Sequence, residues 1–243
     1  MASLYLNEDL HADAFRVGAR IAAWGPEARH ASQVARIRTG ERIAIGDGRG
    51  RIAWGRVVVA AQSELAIEAD EIHVEAPARP EIWLVQALAK GDRDELAVQA
   101  ATELGVAGVV PWPAARSVSR WEGPKVAKGV ERWRAIVREA SKQSIRPSIP
   151  VVLEPADTAA LTRLPGTTLV LEPDGAAALG SLDLTGVDRV NLVVGPEGGI
   201  ADHELAAFET AGASLVRLGP EVLRTSTAGP AAIAAMHALL GHW

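Results

Sequence analysis

Two stretches, Asn191–Ile200 (NLVVGPEGGI) and Leu218–Ala228 (LGPEVLRTSTA), decide how this chain folds. At each of them an apolar, strand-like run ends abruptly in glycine, proline and polar residues, and a helical pattern follows. Open α/β sheets bind their ligands at such places, outside the carboxyl ends of strands. We expect Gly195, Gly198 and Gly199 to allow positive φ and a close approach of the backbone to a ligand. The two stretches therefore predict a ligand site at one edge of an α/β sheet.

The first part of the chain has the pattern of a small β domain. Glu41–Ile45 and Arg51–Val59 are short runs rich in β-branched residues, and the glycine-rich turn between them predicts a hairpin. Leu65–Val74 is a further candidate strand, and Ala28–Arg38 has the spacing of a short helix. We therefore expect a compact β-barrel over residues 1–75.

Residues 76–80 (APARP) have the composition of a linker, because prolines bracket them and the pattern changes afterwards. From there on strands alternate with helices, which is typical of an α/β domain with a parallel sheet, here over residues 80–243. The expected strands are Ile82–Ala89, Val106–Trp112, Thr167–Leu171, Val190–Val194 and Ser214–Leu218. The expected helices are Asp92–Leu104, Pro124–Ser144, Asp157–Leu164, Asp202–Ala211 and Thr227–Leu240.

The first and the last of these helices carry specific expectations. We expect Asp92 to cap the first helix, with Leu96, Ala100 and Leu104 along its buried face. The last helix, Thr227–Leu240, is apolar on nearly every side and must be covered on all of them. We therefore expect a second subunit to supply part of that cover.

The longest expected helix, Pro124–Ser144, has two distinct faces. An apolar stripe at four- and three-residue spacing predicts a buried face, and its members are Val126, Val130, Trp133, Val137 and Ala140. A separate line at i, i+4 and i+8 consists of Arg134, Arg138 and Lys142. Because like charges at this spacing repel slightly, the line is either a solvated face or a surface that binds phosphates.

The bulk composition narrows the class of protein. The chain has 243 residues and no cysteine, which excludes disulfides and thiolate chemistry and fits a cytoplasmic protein. Its six scattered histidines lack the spacing of metal ligands, so we expect no metal site. No apolar run reaches the length of about eighteen residues that a membrane span needs.

The charge of the chain is unevenly distributed. Residues 112–146 contain nine lysines and arginines against three glutamates, although the net charge of the whole chain is −5. A basic stretch on an acidic body is either ordinary solvated surface or the footprint of a nucleic acid. Both interpretations stay open at this point.

Several motifs together resemble those of the RsmE family, the 16S ribosomal RNA uridine methyltransferases of the SPOUT superfamily. The resemblance is strong over about residues 80–240 and weak over 1–75. The motifs that carry it are GPEGG at 195–199, LGPEVLRTSTA at 218–228, KGDRDELAVQAATELGV at 90–106 and EASKQSIR at 139–146. One position departs from the family pattern: Ser226 stands where glutamate is usual, and we expect it to cap the last helix.

The resemblance implies a SPOUT α/β domain with a C-terminal trefoil knot, preceded by a PUA-like RNA-binding β-barrel. It also implies a homodimer whose interface adjoins the pocket for S-adenosylmethionine. The residues it assigns to this cofactor are Leu171, Glu172, Pro173, Gly195, Pro196, Glu197, Gly198, Gly199, Leu218, Gly219, Leu223, Thr225, Thr227 and Ala228.

The reaction that the resemblance implies is methylation at N3 of a uridine in 16S ribosomal RNA, within the 30S subunit. The N3 proton does not leave readily near neutral pH, so the reaction needs a base or a cation that stabilises the anion. Our candidates are Glu103 as the base and Arg116 and Arg224 as the cations. The expected RNA contacts are Arg36, Arg38, Lys90, Arg93, Arg134, Arg138, Lys142 and Arg146.

Two other functions stay open. A non-catalytic RNA-binding protein with a degenerate SPOUT domain would carry the same motifs, and Ser226 would then mark the lost activity. An enzyme of another class would bind a nucleotide phosphate at the glycine turn. However, no G-K-[ST] follows this turn, and its glycine spacing is not G-x-G-x-x-G.

Overall fold

The computed structural model describes residues 3–76 and 78–243, which divide into two compact units. The first unit holds the chain up to residue 77 together with Ser141–Ile149. The second unit holds Ala78–Ala140 and Pro150–Trp243. The segment Ser141–Ile149 is the main difference from the division expected from the sequence, which placed it in the second domain.

Backbone contacts explain why this segment packs with the first unit. Ile149 donates its N–H to the carbonyl of Gly48 at 2.9 Å, and Ser148 pairs with Arg49 in an isolated antiparallel bridge. The side chain of Ile149 also packs against buried strand residues of that unit. Such pairing between distant parts of the chain leaves no local trace in the sequence.

The first unit contains a five-stranded sheet. Its elements are β1 (Leu4–Leu6), β2 (Arg20–Trp24), α1 (Pro26–Arg29), β3 (Arg42–Gly46), β4 (Arg51–Ala60) and β5 (Glu64–Val74). The strand order is β1-β3-β4-β5-β2. The predicted hairpin is confirmed, since β3 and β4 pair in antiparallel fashion with Gly46 opposite Ile52. The predicted helix Ala28–Arg38 is shorter: α1 continues as a π-helical turn only to Val34.

The second unit alternates strands with helices, as the sequence predicted. Its strands are β6 (Glu81–Ala87), β7 (Gly108–Trp112), β8 (Val151–Val152), β9 (Thr167–Leu171), β10 (Ala177–Ala178), β11 (Arg189–Val194) and β12 (Ser214–Arg217). Its helices are α2 (Arg93–Glu103), α3 (Pro124–Gln143), α4 (Thr158–Leu161), α5 (Asp202–Thr210) and α6 (Thr225–Leu239).

These strands form one seven-stranded sheet in the order β10-β12-β9-β11-β6-β7-β8, and its named pairings are all parallel. The expected α/β class with a parallel sheet is thus confirmed. Leu171 and Val194 end β9 and β11, and Val216 lies next to the end of β12. Because the strands are parallel and adjacent, these three residues lie at the same edge of the sheet.

The buried face of α2 differs from the expected one. Leu96 is 49% exposed, whereas Ala97, Val98 and Ala101 are buried. Asp92 occupies the position before the helix, but its side chain makes no capping hydrogen bond. The buried face predicted from the apolar spacing is wrong because the small residues, rather than Leu96, pack against the sheet and α6.

The apolar stripe of α3 is confirmed. Val130, Trp133, Val137 and Ala140 are buried. Trp133 packs edge to face against Trp121 at 5.4 Å between ring centroids, as aromatic pairs prefer. This stripe is therefore core, and the charged line of the same helix lies outside it.

The last helix, α6, begins two residues earlier than expected, at Thr225. Ser226 is therefore its second residue rather than its cap, and Arg224 occupies the cap position without a side-chain capping bond. Ile233 and Met236 are fully buried, whereas Leu239 is 53% exposed. No helix of residues 3–76 and 78–243 combines the length and the apolar character that a membrane crossing requires.

Candidate functional site

A cavity of about 510 Å³ lies at the carboxyl ends of β9, β11 and β12. Leu171, Val194 and Val216 form its floor as the last or nearly last residues of these strands. The glycine turn and the segment that leads into α6 supply its walls. The volume lies within the range of about 300–1,000 Å³ that is typical of small-molecule sites. The cavity therefore occupies the place that the two motifs predicted.

The three glycines of the turn have different roles. Gly199 has a φ of +72°, a conformation that side-chain-bearing residues rarely adopt. A Cβ on Gly195 would lie 2.7 Å from Cγ1 of the buried Ile200, so its absence lets the chain close on itself. Gly198 has no positive φ and tolerates a Cβ at ordinary contact distances, 3.4 Å from Arg116. The expectation of positive φ is thus right for Gly199 and wrong for the other two.

Most residues assigned to the cofactor by the motif resemblance line the cavity. Gly198 and Thr227 are the two that do not. The cavity-lining residues among those predicted are Leu171, Glu172, Pro173, Gly195, Pro196, Glu197, Gly199, Leu218, Gly219, Leu223, Thr225 and Ala228. Lining residues not predicted for the cofactor are Arg93, Val194, Ile200, Val216, Glu221, Val222 and Arg224. All of them except Arg93 and Val216 lie within the two stretches 191–200 and 218–228, so the motifs located the cavity but the choice of residues inside them was too narrow.

Thr225 ties the last helix to the glycine turn. Its hydroxyl donates to the carbonyl oxygen of Gly195 at 2.8 Å and accepts a hydrogen bond from Nε2 of Gln86, also at 2.8 Å. Gln86 is fully buried in β6. This chain of hydrogen bonds connects three separate segments, so it holds the turn in one position relative to the sheet.

Glu197 ties the other side of the glycine turn to the loop before α2. Its carboxylate accepts hydrogen bonds from Nη1 of Arg93 at 2.8 Å and from the backbone N–H of Lys90 at 3.0 Å. Burial raises the pKa of Glu197, but the hydrogen bonds from its own backbone, Arg93 and Lys90 outweigh burial and lower the pKa overall. Arg93 and the backbone of Lys90, predicted to bind RNA, thus brace the cavity.

Glu172 is a second carboxylate at the cavity, and its environment differs. Burial, followed by the negative charge of Asp174, raises the pKa of Glu172. The positive charge of Arg116 lowers the pKa of Glu172 and so acts in the opposite direction. A carboxyl group with a raised pKa is suited to take up or release a proton.

The three predicted catalytic residues lie in different places. Arg224 lines the cavity. Arg116 lies against the glycine turn, where its guanidinium donates to the carbonyl of Ile200 at 3.1 Å and to Asp202 at 3.3 Å. Glu103 is an exposed residue that accepts a hydrogen bond from Gln99.

Glu103 is not among the residues that line the cavity. It ends α2, and Arg93, which begins that helix, lines the cavity. At 1.5 Å per residue, the helix separates the two by about 15 Å. The lining of this cavity therefore does not support Glu103 as its base, because the sequence predicts the helix but not which of its ends faces the ligand.

The line of charges on α3 is largely compensated. Arg134 pairs with Glu131 and Glu154, and Arg138 with Glu139. Lys142 forms a nearly buried ion pair with Glu27 at 3.1 Å. Lys142 therefore does not present its ammonium group to solvent, contrary to the expected phosphate contact.

The remaining predicted RNA contacts lie in the first unit. Arg36 and Arg38 are exposed, and Arg36 has a φ of +54° just after the π-helical turn. Arg146 is half-buried, and burial lowers the pKa of its guanidinium despite the nearby charge of Glu75. Of these three residues, Arg36 and Arg38 are the more exposed.

A different part of the basic stretch carries uncompensated charge. Within the described ranges, Arg120, Lys125 and Lys128 are exposed and have no ion pair, and Arg120 donates only to the carbonyl of Ala115. We call residues 116–128 the basic segment. It starts at Arg116, beside the glycine turn, and runs into the first turns of α3.

The lining of the cavity suits an organic ligand. Over residues 3–76 and 78–243, no group of three or more His, Cys, Asp or Glu side chains is arranged to hold a metal ion. Leucine, valine, proline and glycine residues line the cavity together with three glutamates and two arginines. Such a surface can enclose a nucleoside while charged groups act on a second reactant.

The chain is similar to a known family of enzymes over most of its length. Residues 76–237 match the family model of the RNA methyltransferase domain. The ribosomal RNA small subunit methyltransferase E of Mycobacterium bovis is 42% identical over 90% of this chain and 86% of the relative. The protein of the same name from Bacillus subtilis is 28% identical over 87% of each chain.

A solved structure extends the similarity to the whole chain. The crystal structure of the ribosomal RNA small subunit methyltransferase E of Neisseria gonorrhoeae contains bound S-adenosylmethionine. It superimposes with a TM-score of 0.86, at 30% identity, and covers 98% of both chains. Family model, sequence relatives and solved structure agree: this chain belongs to the RNA methyltransferases, in the family of ribosomal RNA small subunit methyltransferase E.

Proposed function

We propose that this chain methylates N3 of a uridine in 16S ribosomal RNA, with S-adenosylmethionine as the methyl donor. The observation that carries the proposal is the cavity at the ends of β9, β11 and β12, in a chain 30% identical to a protein crystallised with this donor. We take the RNA substrate from the relatives, which are named as methyltransferases of small-subunit ribosomal RNA. The choice of N3 of a uridine follows from the motif resemblance. A ribosomal RNA substrate would place the protein in the cytoplasm.

The residues at the cavity fit S-adenosylmethionine. Leu171, Leu218 and Leu223 offer apolar surface for the adenine ring, and the glycine turn offers backbone groups for the polar parts. Thr225 and Glu197 keep that turn in place through the hydrogen bonds described above. When bound, this cofactor supplies a methyl group on a positively charged sulfur.

The charged residues at the margin would act on the uracil. Arg116 and Arg224 would favour the anion that forms when the N3 proton leaves. Glu172 replaces Glu103 as our candidate for the group that takes this proton, because it lines the cavity and burial raises its pKa. Glu197 is less suited, since Arg93 and the backbone N–H of Lys90 donate hydrogen bonds to its Oε1 and its pKa is lowered.

The sheet order supports a trefoil knot in the second unit. β12 lies between β9 and β10, which follow each other in the chain, so the later segment is inserted beside an earlier connection. That connection passes close to β12: a Cβ on Gly175 would lie 2.7 Å from the backbone carbon of Val216. The guanidinium of Arg217 also donates to the carbonyl of Gly175 at 2.7 Å. We propose that β12 is threaded through this loop.

A homodimer and a PUA-like barrel complete the proposal. The exposed Leu239 and the neighbouring half-buried residues of α6 would be covered by a second copy of the chain. The five-stranded sheet of the first unit, with the exposed Arg36 and Arg38, would contact RNA.

We further propose that the basic segment, residues 116–128, holds the RNA backbone beside the cavity. Among the described residues, Arg120, Lys125 and Lys128 of this segment have no carboxylate partner, whereas Arg134, Arg138 and Lys142 are paired. Phosphate contacts require charge that the protein does not already neutralise. We therefore place the RNA-binding surface at the N-terminal part of the basic stretch 112–146 rather than at its C-terminal part, which the sequence had indicated.

Mass mapping of 16S ribosomal RNA tests the proposed function. A strain lacking the protein should lose one methyl group on one uridine, and the wild-type gene should restore it. A Gly195→Val variant should not, because its side chain would meet Ile200 and deform the turn. Unchanged 16S RNA in the strain lacking the protein, or a methyl group lost from another RNA, would contradict the proposal.

A further inference from the structure

Glu204 is a buried carboxylate that contacts both loops beside the cavity. It is 4% exposed and lies in the first turn of α5. Its Oε2 accepts a hydrogen bond from the backbone N–H of Ala201 at 3.3 Å. Such a bond to the residue before a helix is common and by itself indicates only a helix cap.

The other oxygen of Glu204 has partners outside its own helix. Oε1 accepts hydrogen bonds from the backbone N–H of Ala115 at 3.0 Å and from the hydroxyl of Thr158 at 2.8 Å. The Thr158 hydroxyl accepts a hydrogen bond from the indole N–H of Trp112 at 3.1 Å. Because a buried carboxylate is costly unless donors satisfy it, these contacts hold Glu204 in one place.

The two backbone groups that Glu204 holds flank one particular contact. Ala115 precedes Arg116, and Ala201 follows Ile200. Nη1 of Arg116 donates to the carbonyl of Ile200 at 3.1 Å. One carboxylate therefore fixes the loop of the donor and the loop of the acceptor, so the position of the Arg116 guanidinium depends on it.

We infer that Glu204 is a positioning residue for methyl transfer, which holds the Arg116 guanidinium beside the glycine turn. The inference rests on the proposed function for what Arg116 does there, namely stabilising the uracil anion. A carboxylate with partners on three segments fixes geometry more strictly than a helix cap does. Small displacements of a group that stabilises charge reduce the rate strongly.

A double-mutant cycle of Glu204→Gln and Arg116→Ala tests the inference. Methyl transfer to 30S particles is measured as kcat and as KM for S-adenosylmethionine. In Glu204→Gln, the amide nitrogen cannot accept the hydrogen bonds that one carboxylate oxygen accepts, so the loop that carries Arg116 is held less well. We expect kcat to fall about tenfold while KM changes less than twofold. In the Arg116→Ala background, Glu204→Gln should lower kcat no further. An equal loss in both backgrounds, or no loss in the wild-type background, would overturn the inference.

A control and a second readout keep the test decisive. Asp157→Ala removes a side-chain hydrogen bond to the N–H of Ala160 at the start of α4, so it should lower the melting temperature and leave kcat unchanged.

If Glu204→Gln does not fold, Thr158→Val replaces it in the cycle. This variant removes one hydrogen-bond donor to the carboxylate and should show the same non-additivity with Arg116→Ala. If wild-type protein methylates no RNA, the proposed function fails separately. The crystal structure of Glu204→Gln then decides: a displaced Arg116 loop supports the inference, and an unmoved loop refutes it.

Discussion

At the scale of single residues, adjacent glycines in the glycine turn have different structural roles. Gly199 has a positive φ, whereas Gly198 does not, and a Cβ added to Gly198 would meet Arg116 at an ordinary contact distance. Thr225 and Glu197 then hold the turn from opposite sides. The sequence predicted the turn correctly, but neighbouring glycines look alike in a sequence because their φ angles and contacts depend on the folded chain.

We predict different effects for alanine at these two glycines. Gly199→Ala forces a side-chain-bearing residue into the left-handed region at a cost of about 1–2 kcal/mol. The turn then relaxes, and affinity for S-adenosylmethionine falls about five- to thirtyfold. Gly198→Ala, the matched control, should change the affinity by less than about twofold. Calorimetry measures both, and equal effects would show that the φ of Gly199 is unimportant.

Asp94 makes stability depend on pH. Burial raises its pKa to about 6, although hydrogen bonds from the backbone N–H groups of Ala89 and Glu95 oppose the shift. The unfolded value is about 3.9, so between about pH 4 and pH 6 the folded state binds the proton more tightly. The contribution of Asp94 therefore becomes less favourable as the pH rises through this window.

Asp94→Asn removes this titration while keeping an oxygen acceptor. We predict that the free energy of unfolding of the variant, relative to wild type, is higher at pH 7 than at pH 4, by about 1–3 kcal/mol. Urea unfolding at the two pH values measures the difference. The same offset at both would mean that Asp94 has an ordinary pKa in the folded protein.

At the scale of elements, the spacing of apolar residues predicted the buried face correctly in the helix whose buried side chains are bulky. It predicted the wrong face in the helix whose buried side chains are small. Trp133 and its neighbours in α3 were correctly predicted as core. In α2 Ala97 and Ala101 are buried and Leu96 is exposed, because a helix packed closely on its neighbours favours small side chains. Ion pairing between elements, such as Lys142 with Glu27, also cannot be read from spacing within one helix.

The basic segment leads to a prediction about RNA affinity. Lys125→Ala with Lys128→Ala removes two unpaired cations, so RNA binding should weaken and the slope of log K against log salt should fall by about 1.4. Arg134→Ala with Arg138→Ala removes the same charge from paired positions and should have less effect. Binding of a 16S RNA fragment at several salt concentrations compares them. A larger effect of the second pair would return the RNA surface to the centre of α3.

At the scale of the whole molecule, the motifs predicted the α/β class and the cavity, but long-range pairing decided the rest. The segment Ser141–Ile149 joins the first unit through pairing with residues 48–50, which nothing local signals. Likewise, β12 lies between β9 and β10 in the sheet. The apolar runs of the sequence predict where the strands are but not their order in the sheet.

The exposed part of α6 predicts the oligomeric state. Light scattering at micromolar concentration should give about twice 25.5 kDa for the wild type. Leu239→Glu should give a monomer that stays folded, because Leu239 is 53% exposed in the single chain. Val17→Glu, at a position 69% exposed in the first unit, is the matched control and should stay dimeric. A monomeric wild type would contradict the proposed interface.

The most direct test of the central claim is calorimetric titration of the purified protein with S-adenosylmethionine in the presence of a chelator. The cavity at the ends of β9, β11 and β12 lacks the phosphate-binding and metal-ligand motifs of a nucleotide triphosphate site. We predict that S-adenosylmethionine binds with unchanged affinity when the chelator is added, and that ATP does not bind. Absence of S-adenosylmethionine binding, loss of it with the chelator, or equal binding of ATP would contradict the account.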